Sequence, residues 1–187
     1  PIKTLLVAVA LSFTFSVIAQ EKSTPLEQVM EGLTVRNIGP AGMSGRVTCI
    51  AAHPLKATTL YAGSASGGLW VSENNGQNWS PLFQNEKVAS IGAIAIDPNY
   101  PDIIYVGTGE GNPRNSQTSG YGLYKSYDGG QNWECIGLEQ TRTIHRILIN
   151  PENTDELYVG ATGSAWGDSP RGVFKTKDGG KNWTKTL

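Results

Sequence analysis

The sequence lacks any cluster of charges of one sign. Its 187 residues contain 15 Lys and Arg against 16 Asp and Glu, which gives a formal net charge of −1 at pH 7, and the basic residues are scattered along the chain. Proteins that bind nucleic acid need a basic patch to neutralise a run of phosphates, and anionic membranes attract polybasic segments. The composition therefore argues against a nucleic-acid partner.

Cysteine and histidine are also scarce, with two of each. Cys49 and Cys135 occupy non-equivalent positions of the repeats described below, which favours small buried hydrophobic residues, with a disulfide between them as the alternative. His53 precedes Pro54 and is interpreted as a turn residue, whereas His145 falls in an apolar strand, either packed there or lining a central channel. None of these residues is paired at a metal-ligand spacing, so we predict neither a metal site nor a cofactor.

A long apolar run occurs only at the N-terminus. Lys3 precedes the apolar stretch 5–18, and small side chains end at Ala19, a pattern typical of a secretory leader. The run is shorter than the ~20 residues of a membrane span. We therefore predict a signal peptide at 1–19, a polar linker at 20–32, and a secreted protein (extracellular, periplasmic or at the cell surface) without a membrane span after cleavage. A retained anchor or a buried N-terminal strand is the alternative.

Long helical periodicity is missing as well, and a turn that occurs three times dominates the chain. Each copy fits hydroxyl-x-(Asp/Asn)-x-Gly-x-x-Trp and follows an apolar, strand-like run. The third residue can accept hydrogen bonds from later backbone N–H groups, the glycine can take a positive φ, and the Trp is expected to bring apolar surface to the core. We call this turn the staple. Its residues are Ser72, Asn74, Gly76 and Trp79, then Ser126, Asp128, Gly130 and Trp133, then Thr176, Asp178, Gly180 and Trp183.

Each staple belongs to a unit of four short β runs, and the units cover 46–82, 88–138 and 143–187. Tandem four-stranded units of about 40–50 residues are typical of β-propeller blades. We therefore predict an all-β fold in 33–187, a partial β-propeller, and name the units blades 1, 2 and 3. Three blades do not close a ring. The sequence is thus expected to be the N-terminal part of a longer protein, with the remaining blades of the same chain as partners and strand 33–38 as a possible latch.

The blades differ most in the loop between their second and third strands, which is short in blade 1 and extended to 108–121 in blade 2 and 161–171 in blade 3. Neighbouring strands alternate in direction, so these loops share one face, here called the insert face, and the staples lie on the other. Long loops on a rigid scaffold often carry function, so we predict that a glycan or polypeptide binds there. The candidate ligand-binding residues are Glu110, Asn112, Arg114, Asn115, Tyr121, Trp166, Asp168 and Arg171. Alternatively, Pro113 and the glycines only shape the loop, with Arg114 paired to Glu110.

The staples, the stretch Gly39-Pro-Ala-Gly-Met-Ser-Gly-Arg46 and the stretch Gly109-Glu-Gly-Asn-Pro-Arg-Asn-Ser116 resemble those of secreted bacterial sortilin-like proteins. In that group the staple is the Asp-box, or bacterial neuraminidase repeat. Members are often labelled glycosyl hydrolase, and relatives include sialidases, xyloglucan-degrading enzymes and the peptide-binding receptor sortilin. The resemblance implies a propeller, and it implies an activity only loosely because one fold serves many functions.

One position bears on the enzyme label. In the xyloglucan-degrading family an early blade carries a catalytic Asp within Tyr-Ala-Arg-Thr-Asp-x-Gly-Gly, and the similar stretch Tyr61-Ala-Gly-Ser-Ala-Ser-Gly-Gly68 has Ala65 there. Glycoside hydrolysis needs two placed carboxylates. The first hypothesis is therefore a binding scaffold, and the second is a glycoside hydrolase in which Glu110 or Asp168 acts with a carboxylate from further blades. A third is a structural component of a cell-surface assembly.

Overall fold

The computed structural model describes residues 46–112, 117–164 and 167–187, which form three four-stranded antiparallel sheets with the strands in sequence order. Blade 1 contains β1 (Val47–Ala52), β2 (Leu60–Ser64), β3 (Leu69–Ser72) and β4 (Ser80–Pro81). Blade 2 contains β5 (Ile91–Ile96), β6 (Ile104–Thr108), β7 (Leu123–Ser126) and β8 (Glu134–Cys135). Blade 3 contains β9 (Ile144–Ile149), β10 (Leu157–Ala161), β11 (Gly172–Thr176) and β12 (Thr184–Lys185). The predicted all-β class and its four-stranded units are confirmed.

The predicted signal peptide, linker and latch strand lie outside the described residues. Within the described ranges, the helical structure is a short 3-10 turn at Glu139–Thr141, just before β9. In this part of the chain no helix has the length and apolar character needed to cross a membrane.

The first strand of blade 2 explains why neighbouring blades pack face to face. Ile94 and Ile96 pack into the core shared with blade 1, whereas Ala93 and Ala95 belong to the core shared with blade 3. Successive side chains of a strand point to opposite faces, so an uninterrupted apolar run covers both sides of the sheet. This strand therefore needs a neighbouring blade on each side.

The glycine of the repeated Tyr-x-Gly stretch leaves room for the next blade. A Cβ placed on Gly107 would lie 2.3 Å from Cγ2 of Ile144 in blade 3, and one on Gly63 would lie 2.6 Å from Cγ2 of Ile91 in blade 2. Both isoleucines are fully buried. The blades thus approach so closely that the β-branched residue of one blade fills the space a larger side chain would need on the other.

The staples fold by the predicted hydrogen bonds. In blade 2, Oδ1 of Asp128 accepts the backbone N–H groups of Gln131 and Asn132 at 2.9 Å each, and it also accepts the Ser126 hydroxyl at 2.8 Å. The Ser126 hydroxyl in turn accepts the N–H of Gly130, whose φ is +96°. Blade 3 repeats the pattern around its own acid. The prediction that a short acceptor and a glycine fold this turn is therefore confirmed.

The two acidic staples hold their carboxylates in the charged form. Hydrogen bonds from the Asn132 side chain and backbone lower the pKa of Asp128 to about 2, and hydrogen bonds from Thr176 and Asn182 lower the pKa of Asp178 to about 2. In blade 1 the same position is taken by Asn74, which has one acceptor oxygen. Its Oδ1 accepts the backbone N–H of Asn78 at 2.9 Å. Donors to a charged oxygen stabilise the ionised form, so the staples of blades 2 and 3 hold a charged carboxylate at their third position, where blade 1 has a neutral amide.

Two of the three staple tryptophans bridge blades. The indole N–H of Trp133 donates to the carbonyl of Leu82 in blade 1 at 3.0 Å, and that of Trp183 donates to the carbonyl of Ile136 in blade 2 at 2.9 Å. Trp79 instead donates to Gly76 of its own staple and is 38% exposed. The expectation that every staple Trp reaches the core is wrong for Trp79, because no blade precedes blade 1 among the described residues.

The residues before the repeated prolines are turn residues, as expected. Nδ1 of His53 accepts the backbone N–H groups of Leu55 and Lys56 at 3.1 Å each. The side chains of Asp97 and Asn150 accept the N–H two residues further on in the same way. His53 is therefore confirmed as a turn residue of blade 1.

Candidate functional site

The candidate site lies on the insert face, where the loops between second and third strands meet the segments that enter the inner strands. The N–H of Ala65 donates to the carbonyl of Arg46 at 2.9 Å in blade 1, and the N–H of Gly109 donates to the carbonyl of Ser90 at 2.9 Å in blade 2. Because each sheet is an antiparallel meander, the staples are at the opposite strand ends. The predicted division into two faces is confirmed.

Glu110 is the most buried acid of this face, at 1% exposure. Its carboxylate accepts Nε of Arg46 at 2.8 Å and Nη2 of the same guanidinium at 2.5 Å. This bidentate geometry is the strongest form of an arginine–carboxylate contact, and the carboxylate raises the pKa of Arg46 through this hydrogen bonding. The pair joins the entrance of β1 in blade 1 to the long loop of blade 2.

The stem of the blade 2 loop is held by a series of further hydrogen bonds. The N–H of Glu110 donates to Thr118 at 3.0 Å, and the N–H of Gly120 donates to Arg142 at 2.6 Å. The buried hydroxyl of Thr108 donates to the carbonyl of Gly122 at 2.6 Å. Both ends of the loop are thus fixed to blade 2 and to the segment that leads into blade 3, which makes the loop a rigid platform at its base.

The beginning of the same loop lies against blade 3. A Cβ on Gly111 would lie 2.4 Å from Nδ1 of His145, so the backbone at Gly111 lies close against the imidazole. His145 is exposed near the start of β9, which differs from a packed strand histidine. Asn112 follows at half exposure, and its carbonyl accepts Nε2 of Gln117 at 2.7 Å. Residues of all three blades therefore lie close together here, Arg46 from blade 1, Glu110 from blade 2 and His145 from blade 3.

Tyr121 lies exposed at the end of the blade 2 loop. The Nζ atom of Lys87, from the connection between blades 1 and 2, is 4.9 Å from the centre of its ring. A cation at this distance is attracted by the ring face. One face of the ring is thus occupied by Lys87, while the side chain remains accessible at the surface.

The blade 3 loop forms a separate small turn. Nη2 of Arg171 donates to the carbonyl of Ser164 at 2.8 Å, and the N–H of Ser164 donates to the hydroxyl of Ser169 at 2.5 Å. Asp168 and Arg171 are both exposed. Arg171 therefore closes its own loop, and Asp168 is the accessible acid of that turn.

Three predicted site residues, Arg114, Asn115 and Trp166, lie outside the described residues. The alternative pairing of Glu110 with Arg114 is therefore untested, although Arg46 is a bidentate partner of that acid. The sequence pattern predicts neither Arg46 nor Lys87 as a site residue. The signal for Arg46 is its position: blades 2 and 3 have small hydroxyl residues immediately before their inner strands, and blade 1 has a cation.

Ala65 is 1% exposed and its N–H is bonded within the blade. A methyl side chain at this point supplies no acid or base, and its surroundings are closed to solvent. The described surface therefore has no carboxylate where the xyloglucan-degrading pattern carries one.

The thiols and possible metal ligands do not form a site in the described ranges. Cys49 and Cys135 are both free and half-buried, and burial raises the pKa of each thiol. No group of three or more His, Cys, Asp or Glu side chains in these ranges is arranged to hold a metal ion. The half-buried cysteines pack against the core between blades 1 and 2, close to the predicted role as small hydrophobic residues.

Comparison with known proteins gives sequence relatives among enzymes that act on xyloglucan. No family model matches the chain. An oligoxyloglucan-reducing end-specific xyloglucanase of Emericella nidulans is 28% identical over 152 residues, which is 74% of this chain and 17% of that protein. A xyloglucanase of Paenibacillus sp is 24% identical over 168 residues, 83% of this chain and 16% of that protein. The chain thus spans about a sixth of the length of these relatives.

Solved structures resemble the described fold. An ancestral GH74 enzyme has a TM-score of 0.63 and 25% identity, and the match covers 81% of this chain and 19% of that one. YCF48 from Cyanidioschyzon merolae has a TM-score of 0.53 and 16% identity, covering 79% and 39% of the two chains, which reflects the fold alone. The fold is therefore that of a partial β-propeller, and sequence and structure together support a relationship between this chain and the GH74 xyloglucanase propellers.

Proposed function

We propose that this chain is the glycan-binding part of an exported, xyloglucanase-like propeller, and that the insert face contacts a glucan of the xyloglucan class. The observation that carries the proposal is the anchored blade 2 loop, which presents Asn112 and Tyr121 from a base fixed by the Arg46–Glu110 pair. The sequence relatives supply the class of ligand, because they are named for xyloglucan. Aromatic and amide side chains on a rigid base suit the apolar faces and hydroxyl groups of sugars.

The acidic residues of the insert face favour binding without hydrolysis by this part of the chain. Ala65 has no ionisable group, and Glu110 is held in a bidentate ion pair with Arg46. A general acid must carry a proton in the ground state, and a guanidinium partner favours the unprotonated carboxylate. Glu110 therefore does not suit the role of general acid, and its bidentate pair with Arg46 suits an anchoring role.

Glycoside hydrolysis remains the second candidate function, because the sequence relatives are enzymes. It requires two carboxyl groups about 5–10 Å apart. Asp168, exposed on the blade 3 loop, is the acid of the described insert loops that is available for this role. Its partner carboxylate would come from further blades.

Calorimetric titration of the full-length protein with xyloglucan oligosaccharides tests the binding proposal. Tyr121→Ala is expected to weaken binding about tenfold, equivalent to about 1.4 kcal/mol. The matched control is Tyr100→Ala, an exposed tyrosine in the β5–β6 turn on the opposite face, which should bind as tightly as the parent. Equal losses in both variants, or binding of peptides but not glycans, would contradict the proposal.

Release of reducing sugar separates the second candidate from the first. Turnover that is abolished by Asp168→Asn while oligosaccharide affinity is kept would establish hydrolysis through this loop. Oligosaccharide affinity that depends on Tyr121, with no release of reducing sugar, would support binding and exclude hydrolysis.

A further inference from the structure

Lys125 of β7 is a buried lysine, with an exposure of 6%. Its Nζ atom lies 5.1 Å from the centre of the Tyr105 ring and 4.6 Å from the centre of the Tyr127 ring. Lysine side chains are rarely buried without a paired charge. Among the residues that the structure describes, however, Lys125 forms no ion pair with a carboxylate. The partners of this buried ammonium group are therefore two phenol side chains.

Blade 3 shows what is missing around Lys125. Lys175 occupies the same place in β11, and each lysine is in register with the tyrosine of the neighbouring strand. Nζ of Lys175 lies 2.6 Å from Oε1 of Glu156, which also accepts the Tyr158 hydroxyl at 2.9 Å. The residue of blade 2 at the position of Glu156 is Ile103. Blade 2 thus keeps the lysine and the tyrosine but lacks the carboxylate.

Lys125 nevertheless keeps its positive charge. Burial acts to lower the pKa of Lys125, but the hydrogen bond to Tyr105 and the nearby Tyr127 side chain outweigh this effect, and the net shift is upward. A buried charge is costly unless a counter-charge lies beside it. An anion that reached Nζ of Lys125 would therefore be bound favourably.

A route to Nζ of Lys125 is provided by an open groove between blades 2 and 3. The groove encloses about 830 Å³ on the staple face and is lined by Lys125, by Tyr127 of the blade 2 staple and by Gly179 of the blade 3 staple. A Cβ on Gly179 would lie 3.4 Å from Nζ of Lys125, so the glycine leaves space beside the ammonium group. The volume is in the usual range of ligand pockets, about 300–1,000 Å³.

The other charges of the groove restrict what it can hold. Asp178 is used within its own turn, whereas Glu134 and Asp155 are exposed, and Glu134 does not pair with Lys125 although the two are in register. A ligand with several negative charges would be repelled by these acids. A ligand with one carboxylate and several hydroxyl groups suits both, because hydroxyl groups can donate to carboxylates. The remaining charged residues of the groove are Lys177 and Lys181.

We propose that this groove binds a uronic acid, a sugar with one carboxylate, through an ion pair with Lys125. The carboxylate takes the place beside Lys125 that Glu156 has beside Lys175. Tyr127 is 57% exposed, and its ring suits the apolar face of a sugar. The groove lies on the face opposite the insert loops, so this second site goes beyond the xyloglucan surface proposed above.

Calorimetric titration of the full-length protein with galacturonate and with galactose tests the proposal. Galactose lacks the carboxylate, so it should bind at least about tenfold more weakly. Lys125→Val introduces the residue that blade 1 has at this place, Val71, and should weaken galacturonate binding at least about tenfold. The matched control is Lys56→Val, at an exposed lysine in the β1–β2 turn of blade 1, which should bind galacturonate as the parent does.

A second variant fills the groove from within the chain. Ile103→Glu supplies the carboxylate that blade 3 has at Glu156, so it should pair with Lys125 and abolish galacturonate binding. Titration with xyloglucan oligosaccharides should be unchanged in this variant, because the insert face is at the opposite strand ends. This readout distinguishes a failure of the uronic-acid site from a failure of the proposed glucan surface.

The outcomes divide clearly. Galacturonate binding that is lost in Lys125→Val and Ile103→Glu, and kept in Lys56→Val, supports the proposal. If Ile103→Glu does not fold, the contrast between Lys125→Val and Lys56→Val decides. Equal galacturonate affinity of Lys125→Val and the parent, or no galacturonate binding by the parent, would overturn the proposal. Binding of tri-aspartate that depends on Lys125 and is tighter than that of galacturonate would also overturn it, in favour of an acidic peptide.

Discussion

At the scale of single residues, the staple separates two roles that acids play in this fold. Asp128 and Asp178 lie on the face opposite the insert loops, and their oxygens are used within their own turns. A carboxylate that accepts several donors is stabilised in its charged form and is a poor proton donor near neutral pH. These acids are therefore structural, and their ionisation makes the stability of the blades depend on pH.

The first prediction concerns acid unfolding. The folded pKa of Asp128 is about 2, against an ordinary value of 3.8, so the folded state binds this proton less readily than the unfolded chain does. By linkage, the stabilisation is complete above about pH 5 and is lost as the pH falls from about 4 to about 2. Asp128→Asn should show a smaller fall in Tm over that interval, measured by circular dichroism at closely spaced pH values.

Blade 1 supplies the opposite test of the same mechanism. Asn74→Asp should add a titrating group and steepen the fall in Tm below pH 4, because the backbone N–H of Asn78 already donates to this position. Unchanged pH profiles in both variants would mean that the staple donors do not stabilise the charge.

At the scale of secondary-structure elements, the blade 2 loop depends on a contact made by a different blade. Arg46 immediately precedes β1 of blade 1, and Glu110 follows β6 of blade 2. The ion pair therefore joins the start of the first strand of blade 1 to the end of the second strand of blade 2. Breaking the Arg46 contact of this buried carboxylate removes two charge-assisted hydrogen bonds, which is costly. The loop conformation is therefore linked to the position of blade 1.

The second prediction is that Glu110→Gln lowers the Tm clearly, while Asp168→Asn, an exposed acid on the next insert loop, leaves it nearly unchanged. The reason is burial, since water solvates the exposed side chain of Asp168 but not the buried side chain of Glu110. Arg46→Met should lower the Tm to a similar extent, and the double variant should lose less than the sum of the two single losses. Strictly additive losses would show that the two side chains stabilise the fold independently.

At the scale of the whole molecule, stability comes from contacts between blades. Each sheet hydrogen-bonds within itself, and the two cores lie between sheets. Apolar side chains of one blade fill spaces that glycine leaves on its neighbour, as Ile144 does at Gly107. Blades are therefore expected to unfold together and not one at a time, as in other stacked repeats with large shared contacts.

The third prediction tests this packing. Gly107→Ala should destabilise the protein by about 1–3 kcal/mol, the usual effect of an inserted methyl group in a close-packed core. Ile144→Leu removes the β-branched methyl group that the new Cβ would meet, so it should relieve part of the loss in the double variant. Urea denaturation measures all three free energies, and a loss in Gly107→Ala that Ile144→Leu does not reduce would argue against this contact as the cause.

The sequence by itself determined the blades. Staple residues and alternating apolar runs act locally, through hydrogen bonds over four residues and strand periodicity, so their pattern predicts the sheets without knowledge of distant contacts. The turn role of His53 was predictable for the same reason. The candidate site was much less predictable from the sequence than the blades were. The physical cause is that the site is made of residues that lie far apart in the chain.

Only the tertiary structure decided how those blades meet. It paired Glu110 with Arg46 across 64 residues, placed Lys87 on Tyr121, and left Trp79 bonded to its own turn. Each of these depends on the relative position of neighbouring sheets, which is set by packing and not by local sequence pattern. The same packing left Val47 and Ile50 exposed, because an apolar surface is buried only when another blade lies against it.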